Sequence, residues 1–184
     1  MAMQINTTLV EQALHRLGEI VEFHVDVEIL LVCGAAAMLT NHLVGNRTTT
    51  DCDVMVYSPA SSMSAVELAA DRVASELDLG ARWLKKRCAD SDLAPAGWMG
   101  TQRVLVSHVG RLRVWAASRL DLLVMKVIAG RAQDIEDVRA MRVRFDELGF
   151  IRSHLAAMRK ATPGDTDVAE AIELLEALEV HEHE

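Results

Sequence analysis

The chain predicts an α/β (α+β) fold, a mixed sheet flanked by helices and followed by a helical C-terminal part. Two apolar runs of strand length, Val27 to Val32 and Cys52 to Tyr57, each lead into a segment of helical period, the alternation of a layered α/β domain. A hairpin pattern follows near residue 110, and beyond residue 118 every periodic segment is helical. The expected organisation is therefore an α/β core over residues 1–117 with a helical part over 118–184 packed on it.

The totals bound the function classes. A chain of 184 residues, half of them apolar and a quarter charged, can bury a sizeable core and is far from the composition of a disordered protein. The formal net charge of -8 argues against a protein that coats nucleic acid, which needs an excess of Lys and Arg. Cys33, Cys52 and Cys88 are widely spaced without a C-x-x-C pattern, so neither a disulfide framework nor a zinc site is expected. The N-terminus lacks a basic segment followed by an apolar run, and no apolar stretch is long enough to span a bilayer, so a cytoplasmic protein without a membrane partner is expected.

Taken in order, Thr7 or Thr8 can cap a helix to about Phe23, with Leu9, Ala13, Leu17, Ile20 and Val21 on one face. Val27 to Val32 is a buried strand ending at Gly34, and Ala35 to Val44 is a helix without a breaker before Gly45-Asn46. Cys52 to Tyr57 is a second buried strand, closed by Ser58-Pro59, and Met63 to Leu79 is a one-sided helix. Gly80 to Gly100, with Lys85-Lys86-Arg87, reads as a loop; its basic run could grip phosphates or simply be solvated. Arg103 to Ser107 and Arg111 to Ala116 form the hairpin. Ser118 with Asp121 resembles a capping box opening a helix that bends near Gly130-Arg131, and helices follow at Asp134 to Phe145, Ile151 to Ala161 and Asp165 to Val180. The closing His181-Glu182-His183-Glu184 reads as a frayed, solvated end.

The chemistry-bearing pattern is Asp51-Cys52-Asp53. Residues two apart on a strand share a face, so both carboxylates stand together while Cys52 and Val54 point the other way. Either such a pair merely begins a strand and caps a turn, or the two like charges call for a cation between them, for which a hard divalent ion such as Mg²⁺ suits two carboxylates. Gly34, at a strand-to-helix turn, lacks the Cβ that would keep a ligand from the backbone, and amides at a helix start suit phosphate.

With Gly34-Ala35-Ala36 followed by Arg47-x-Thr49-x-Asp51-x-Asp53, the chain resembles the DNA polymerase beta-like nucleotidyltransferase superfamily, in the branch that includes the AbiEii/AbiGii-type abortive-infection toxins. The later elements of that branch match Lys126, Arg131, Asp134 and Asp137, and Pro95-Ala96-Gly97-Trp98 also resembles a segment of this branch. The resemblance spans roughly Ile29 to Met141 and implies a nucleotidyltransferase-like sheet. It further implies Asp51 and Asp53 as catalytic metal ligands, Lys126 and Asp134 as catalytic groups, and Gly34, Ala35, Arg47, Thr49 and Arg131 as the nucleotide-triphosphate site. The implied activity transfers a nucleoside monophosphate, with Mg²⁺, to an acceptor such as RNA or protein, in a toxin–antitoxin or phage-defence pair with an antitoxin partner.

Two departures bear on this. Cys33 stands where relatives often carry a first glycine, and no acid lies on Arg103 to Ser107 or Arg111 to Ala116, where catalytic members place a third carboxylate. The alternative is a nucleotidyltransferase-fold protein that has lost catalysis and acts as a nucleotide-binding or protein-interaction module. For Lys126 the residues leave two readings, exposed helix surface or a cleft-facing group. Arg131, Asp134 and Asp137 have the spacing of local surface ion pairs, each contributing on the order of 0.3 kcal/mol.

Overall fold

A computed structural model describes residues 4–43, 45, 47–86 and 102–181. Arg87, Cys88, Pro95-Ala96-Gly97-Trp98 and Glu182-His183-Glu184 lie outside the described residues. The described residues fall into two compact units, one of residues up to 86 together with 102–118, the other of residues 119–181.

The first unit is built on a five-stranded sheet. Its elements are β1 (Ile5–Asn6), α1 (Thr7–Ile20), β2 (Val27–Val32), α2 (Cys33–Leu39), β3 (Thr48–Thr49), β4 (Cys52–Ser58), α3 (Met63–Glu76), β5 (Leu84–Lys86), β6 (Val104–Val109) and β7 (Leu112–Ala116). The strand order is β5-β4-β2-β7-β6, with β1 and β3 forming a separate antiparallel pair. β2 runs antiparallel to β4 and parallel to β7, while β4–β5 is parallel and β6–β7 antiparallel, so the sheet is mixed as expected. The central position of β2 explains its unbroken apolar run: Ile29, Leu30, Leu31 and Val32 are all buried.

Local chemistry sets the element ends, in places differently from the periodicity. Asn6, one residue earlier than the threonines, caps α1 by accepting the Leu9 N–H on Oδ1 at 2.9 Å. The buried stripe of α1 is Val10, Ala13, Leu14, Leu17 and Gly18. Gly18 lets the helix close on the hairpin, since a Cβ there would lie 2.5 Å from Val109 Cβ. The hairpin turns tightly, with Val109 paired to Leu112 and Gly110 at φ +57°.

Helix α2 stops at Leu39, well short of Val44. The Thr40 hydroxyl donates back to the Ala36 carbonyl at 2.7 Å and Asn41 takes a left-handed φ of +56°, which together end the helix. β5 lies inside the segment expected to be a loop. It forms because Trp83 is buried, donating its indole N–H to Ala70 O at 2.9 Å while its carbonyl accepts the Cys52 N–H. Trp83 thus pins the chain between α3 and β4, and the next three residues pair with β4.

The second unit is helical: α4 (Arg119–Ala129), α5 (Ala132–Met141), α6 (Phe145–Ala161) and α7 (Thr166–His181). α4 contacts α5, α6 and α7 and is buried from Asp121 through Ile128 on all sides, so it is a central helix and not a one-sided one. α5 ends at Met141 because Arg142 takes a left-handed φ of +50°. α6 starts at Phe145, six residues before Ile151, because the Glu147 carboxylate accepts the Arg144 N–H at 2.9 Å and completes a capping box. The buried Glu147 also receives both arms of the Arg119 guanidinium, at 2.7 and 3.0 Å. Asp165 begins α7 by accepting the N–H groups of Asp167 and Val168 on one carboxylate oxygen. Among the described residues, no helix is long and apolar enough to cross a membrane.

Candidate functional site

The start of β4 brings two carboxylates and an ammonium together. Cys52 and Val54 are fully buried, and the alternation of the strand leaves Asp51 and Asp53 half-buried on the other face. Both carboxylates reach one ammonium: Lys85 Nζ lies 2.6 Å from Asp51 Oδ2 and 3.6 Å from Asp53 Oδ1. Lys85 is brought there by the parallel β4–β5 register, which sets it opposite Asp53. The bond to Asp51, opposed by partial burial and reinforced by the charge of Asp53, holds the Lys85 ammonium above its ordinary pKa. Burial pushes the Cys52 thiol up, and the two flanking carboxylates push it further, so it is a neutral core group.

The antiparallel register of β2 and β4 sets Val32 opposite Asp53, so the Cys33-Gly34 turn follows at the end of β2 nearest the carboxylates. Thr49 links the two features. Its hydroxyl donates to the Asp51 carbonyl at 2.9 Å, and a Cβ on Gly34 would lie 3.4 Å from its Oγ1. The left-handed residue in this turn is Cys33, at φ +62°, a conformation that costs a non-glycine residue roughly 1–2 kcal/mol. α2 begins at this residue, and Val32, its N-cap, makes no side-chain cap hydrogen bond. Ala35 is buried in the same turn of helix. Arg47 lines a cleft of about 310 Å³ with Asn6, Thr7, Thr8, Gly45 and Thr48, and that lining includes neither Asp51 nor Asp53.

The expected residues of the second unit form their own cluster. Lys126 on α4 donates to Asp137 at 2.5 Å and to Asp134 at 3.3 Å, and Arg131 Nε donates to the other oxygen of Asp134 at 2.5 Å. Lys126, Asp134 and Asp137 are almost wholly buried, which corrects the reading of surface ion pairs. The reason is that α4 is enclosed on all sides, so a lysine at its centre must take its counter-ions inward from α5.

Sequence reasoning placed Lys85 in a loop whose basic run could grip phosphates or be solvated, and did not set it beside the carboxylates. The available signal was Trp83-Leu84, an apolar pair two residues upstream that fixes the strand.

A divalent cation fits the carboxylate pair, because Asp51 and Asp53 already share one positive group across their common face. Among the described residues no group of three or more His, Cys, Asp or Glu is placed to hold a metal. Two carboxylates suit an ion such as Mg²⁺ that keeps several waters and takes further oxygens from a phosphate substrate.

A family model described as "Nucleotidyltransferase of unknown function (DUF6036)" matches residues 11–149. Comparison with curated proteins and with solved structures gave no match.

Proposed function

The chain belongs to this nucleotidyltransferase family, and on that premise we propose that it transfers a nucleoside monophosphate from a nucleotide triphosphate to an acceptor hydroxyl, with Mg²⁺ held by Asp51 and Asp53. The observation that carries the reading is the carboxylate pair on one face of β4, at the end of β2 where α2 begins. When bound, the ion would neutralise phosphate charge and stabilise the leaving pyrophosphate.

The residues of the chain would act mainly by positioning. The resemblance puts the triphosphate at Gly34 and Ala35, in the first turn of α2, where the N–H groups of a helix lack partners inside it. Thr49 fixes the backbone of Asp51, while Arg47, which the resemblance names for substrate binding, lines a cleft that includes neither carboxylate and is given no part in the transfer. In the transfer the acceptor oxygen bonds the α-phosphorus as the bond to the β-phosphate oxygen breaks; the electron pair leaves with pyrophosphate and the hydroxyl proton passes to water. We assign Lys126 and Asp134, which the resemblance names for catalysis, to the integrity of the second unit first, because they pair with each other and with Asp137 in a buried cluster that the exposed Arg131 joins from outside. The resemblance to AbiEii/AbiGii-type proteins supports a toxin–antitoxin or phage-defence setting with RNA or protein as acceptor.

Incubation with each labelled nucleotide triphosphate and a pool of cellular RNA and protein tests this reading. Mg²⁺-dependent label on a defined acceptor, abolished by Asp51→Asn with Asp53→Asn, is the expected result. A second reading, a nucleotide-binding module without catalysis, is favoured by the absence of a third acidic ligand among the described residues. Tight Mg²⁺-dependent nucleotide binding with no label transfer would select it.

A further inference from the structure

Lys85 is the feature that the sheet does not explain. A three-residue strand held by Trp83 and by pairing to β4 needs no particular side chain at its second position. Yet that side chain reaches both carboxylates of the pair, at 2.6 and 3.6 Å. All three groups keep some solvent exposure, 35% for Lys85, 27% for Asp51 and 15% for Asp53, so the ion pairs are exchangeable. Lysine is a point charge on a flexible stem, and here its Cα is set opposite Asp53 by the strand register.

We propose that Lys85 is the resident counter-ion of the Asp51–Asp53 pair: it competes with an incoming divalent cation and, once displaced, presents its charge to the phosphates of the bound nucleotide triphosphate. The proposal rests on the reading of the pair as a metal–nucleotide site. An ammonium in contact with Asp51 Oδ2 and a divalent ion on the same carboxylates repel each other, so one must yield. The displaced ammonium stays within a side-chain length of the site, because the strand that carries it is pinned by Trp83. Two effects of opposite sign follow from one residue. Without Lys85 the carboxylates lack this counter-ion, so metal alone binds more tightly. The metal–nucleotide complex binds more weakly, because a cation facing the phosphates is gone. A lysine that merely held the strand in place would weaken both.

The test uses the full chain, with Mn²⁺ as the metal probe followed by electron paramagnetic resonance, and a nucleotide triphosphate whose α,β-bridge resists cleavage. Lys85→Gln is expected to bind Mn²⁺ alone roughly 3- to 10-fold more tightly than the wild type, the equivalent of one or two partly exposed ion pairs. It should bind the nucleotide in saturating Mn²⁺ more weakly by a similar factor, and Lys85→Arg should stay near the wild type in both. In the wild type itself, the acylation rate of Lys85 followed by peptide mass spectrometry should rise on adding Mn²⁺ and fall again with nucleotide. Unchanged or weaker Mn²⁺ binding by Lys85→Gln, unchanged nucleotide affinity, or an acylation rate indifferent to Mn²⁺ overturns the proposal while leaving the metal site standing. Failure of the wild type to bind Mn²⁺ at all overturns the metal site, and the proposal with it.

Discussion

Replacing Lys126 by methionine removes the cation from a buried cluster and leaves the volume of the side chain nearly unchanged. In the wild type the ammonium, almost wholly buried, lies 2.5 Å from Asp137 and 3.3 Å from Asp134. Arg131 remains beside Asp134, donating its Nε to Oδ2, but its side chain is two-thirds exposed. The substitution therefore removes the ammonium from Asp137 and from Oδ1 of Asp134, in a place almost closed to water. Breaking a buried pair by removing one partner costs about 3–5 kcal/mol. In a chain of this length that corresponds to a fall in Tm of roughly 6–20 °C. Denaturant unfolding of the full chain, followed by far-ultraviolet circular dichroism, measures the loss. The triple replacement Lys126→Met, Asp134→Asn, Asp137→Asn should recover at least half of it, because the stranded charges are gone. A loss below about 1 kcal/mol, the size of an exposed ion pair, would refute the claim that the cluster is desolvated.

Two further outcomes follow from packing and charge. Gly18→Ala forces a Cβ to within 2.5 Å of Val109 Cβ, so α1 and the hairpin must separate, at a cost of about 1–3 kcal/mol by thermal denaturation; an unchanged Tm would show that the contact is loose. Glu147 supplies a pH dependence: burial acts to raise its carboxyl, but the Arg119 hydrogen bonds, the Arg144 N–H and the two guanidinium charges outweigh burial and hold it below its ordinary value of 4.5. A depressed carboxylate stabilises the fold fully above its unfolded pKa and loses that contribution as pH falls through the folded value. The stability gap between the wild type and Glu147→Gln should therefore be widest above pH 4.5 and narrow in more acidic solution; a gap independent of pH would contradict the assignment.

The sequence was most legible where local period and packing agree. β2, β4, α3 and the hairpin were readable because apolar residues alternate or recur at helical spacing on elements that bury one or both faces. The common face of Asp51 and Asp53 was readable for the same reason, since it depends only on the two-residue period of a strand. The short strands were not. β5 has two lysines among its three residues, and its pairing depends on β4, more than twenty-five residues upstream, and on the burial of Trp83. Trp83-Leu84 is the local apolar signal, but nothing local shows that the segment pairs with β4, so the cation facing the carboxylate pair stayed hidden. The burial of Lys126 was hidden for a related reason: a lysine in mid-helix belongs to the surface unless the helix is enclosed, and α4 contacts three other helices. The ends of α2 and α5 were also beyond the pattern, because a back-bonded Thr40 and left-handed residues at Asn41 and Arg142 stop helices whose apolar spacing continues.

The central claim is that Asp51 and Asp53 together hold the metal that brings a nucleotide triphosphate to the start of α2. Equilibrium binding of a fluorescent nucleotide triphosphate, with and without Mg²⁺, in the wild type and in Asp51→Asn with Asp53→Asn, tests it most directly. Binding that needs Mg²⁺ in the wild type and is lost in the double variant, with the circular dichroism spectrum retained, is the predicted result. Equal Mg²⁺-dependent binding by both proteins would contradict it.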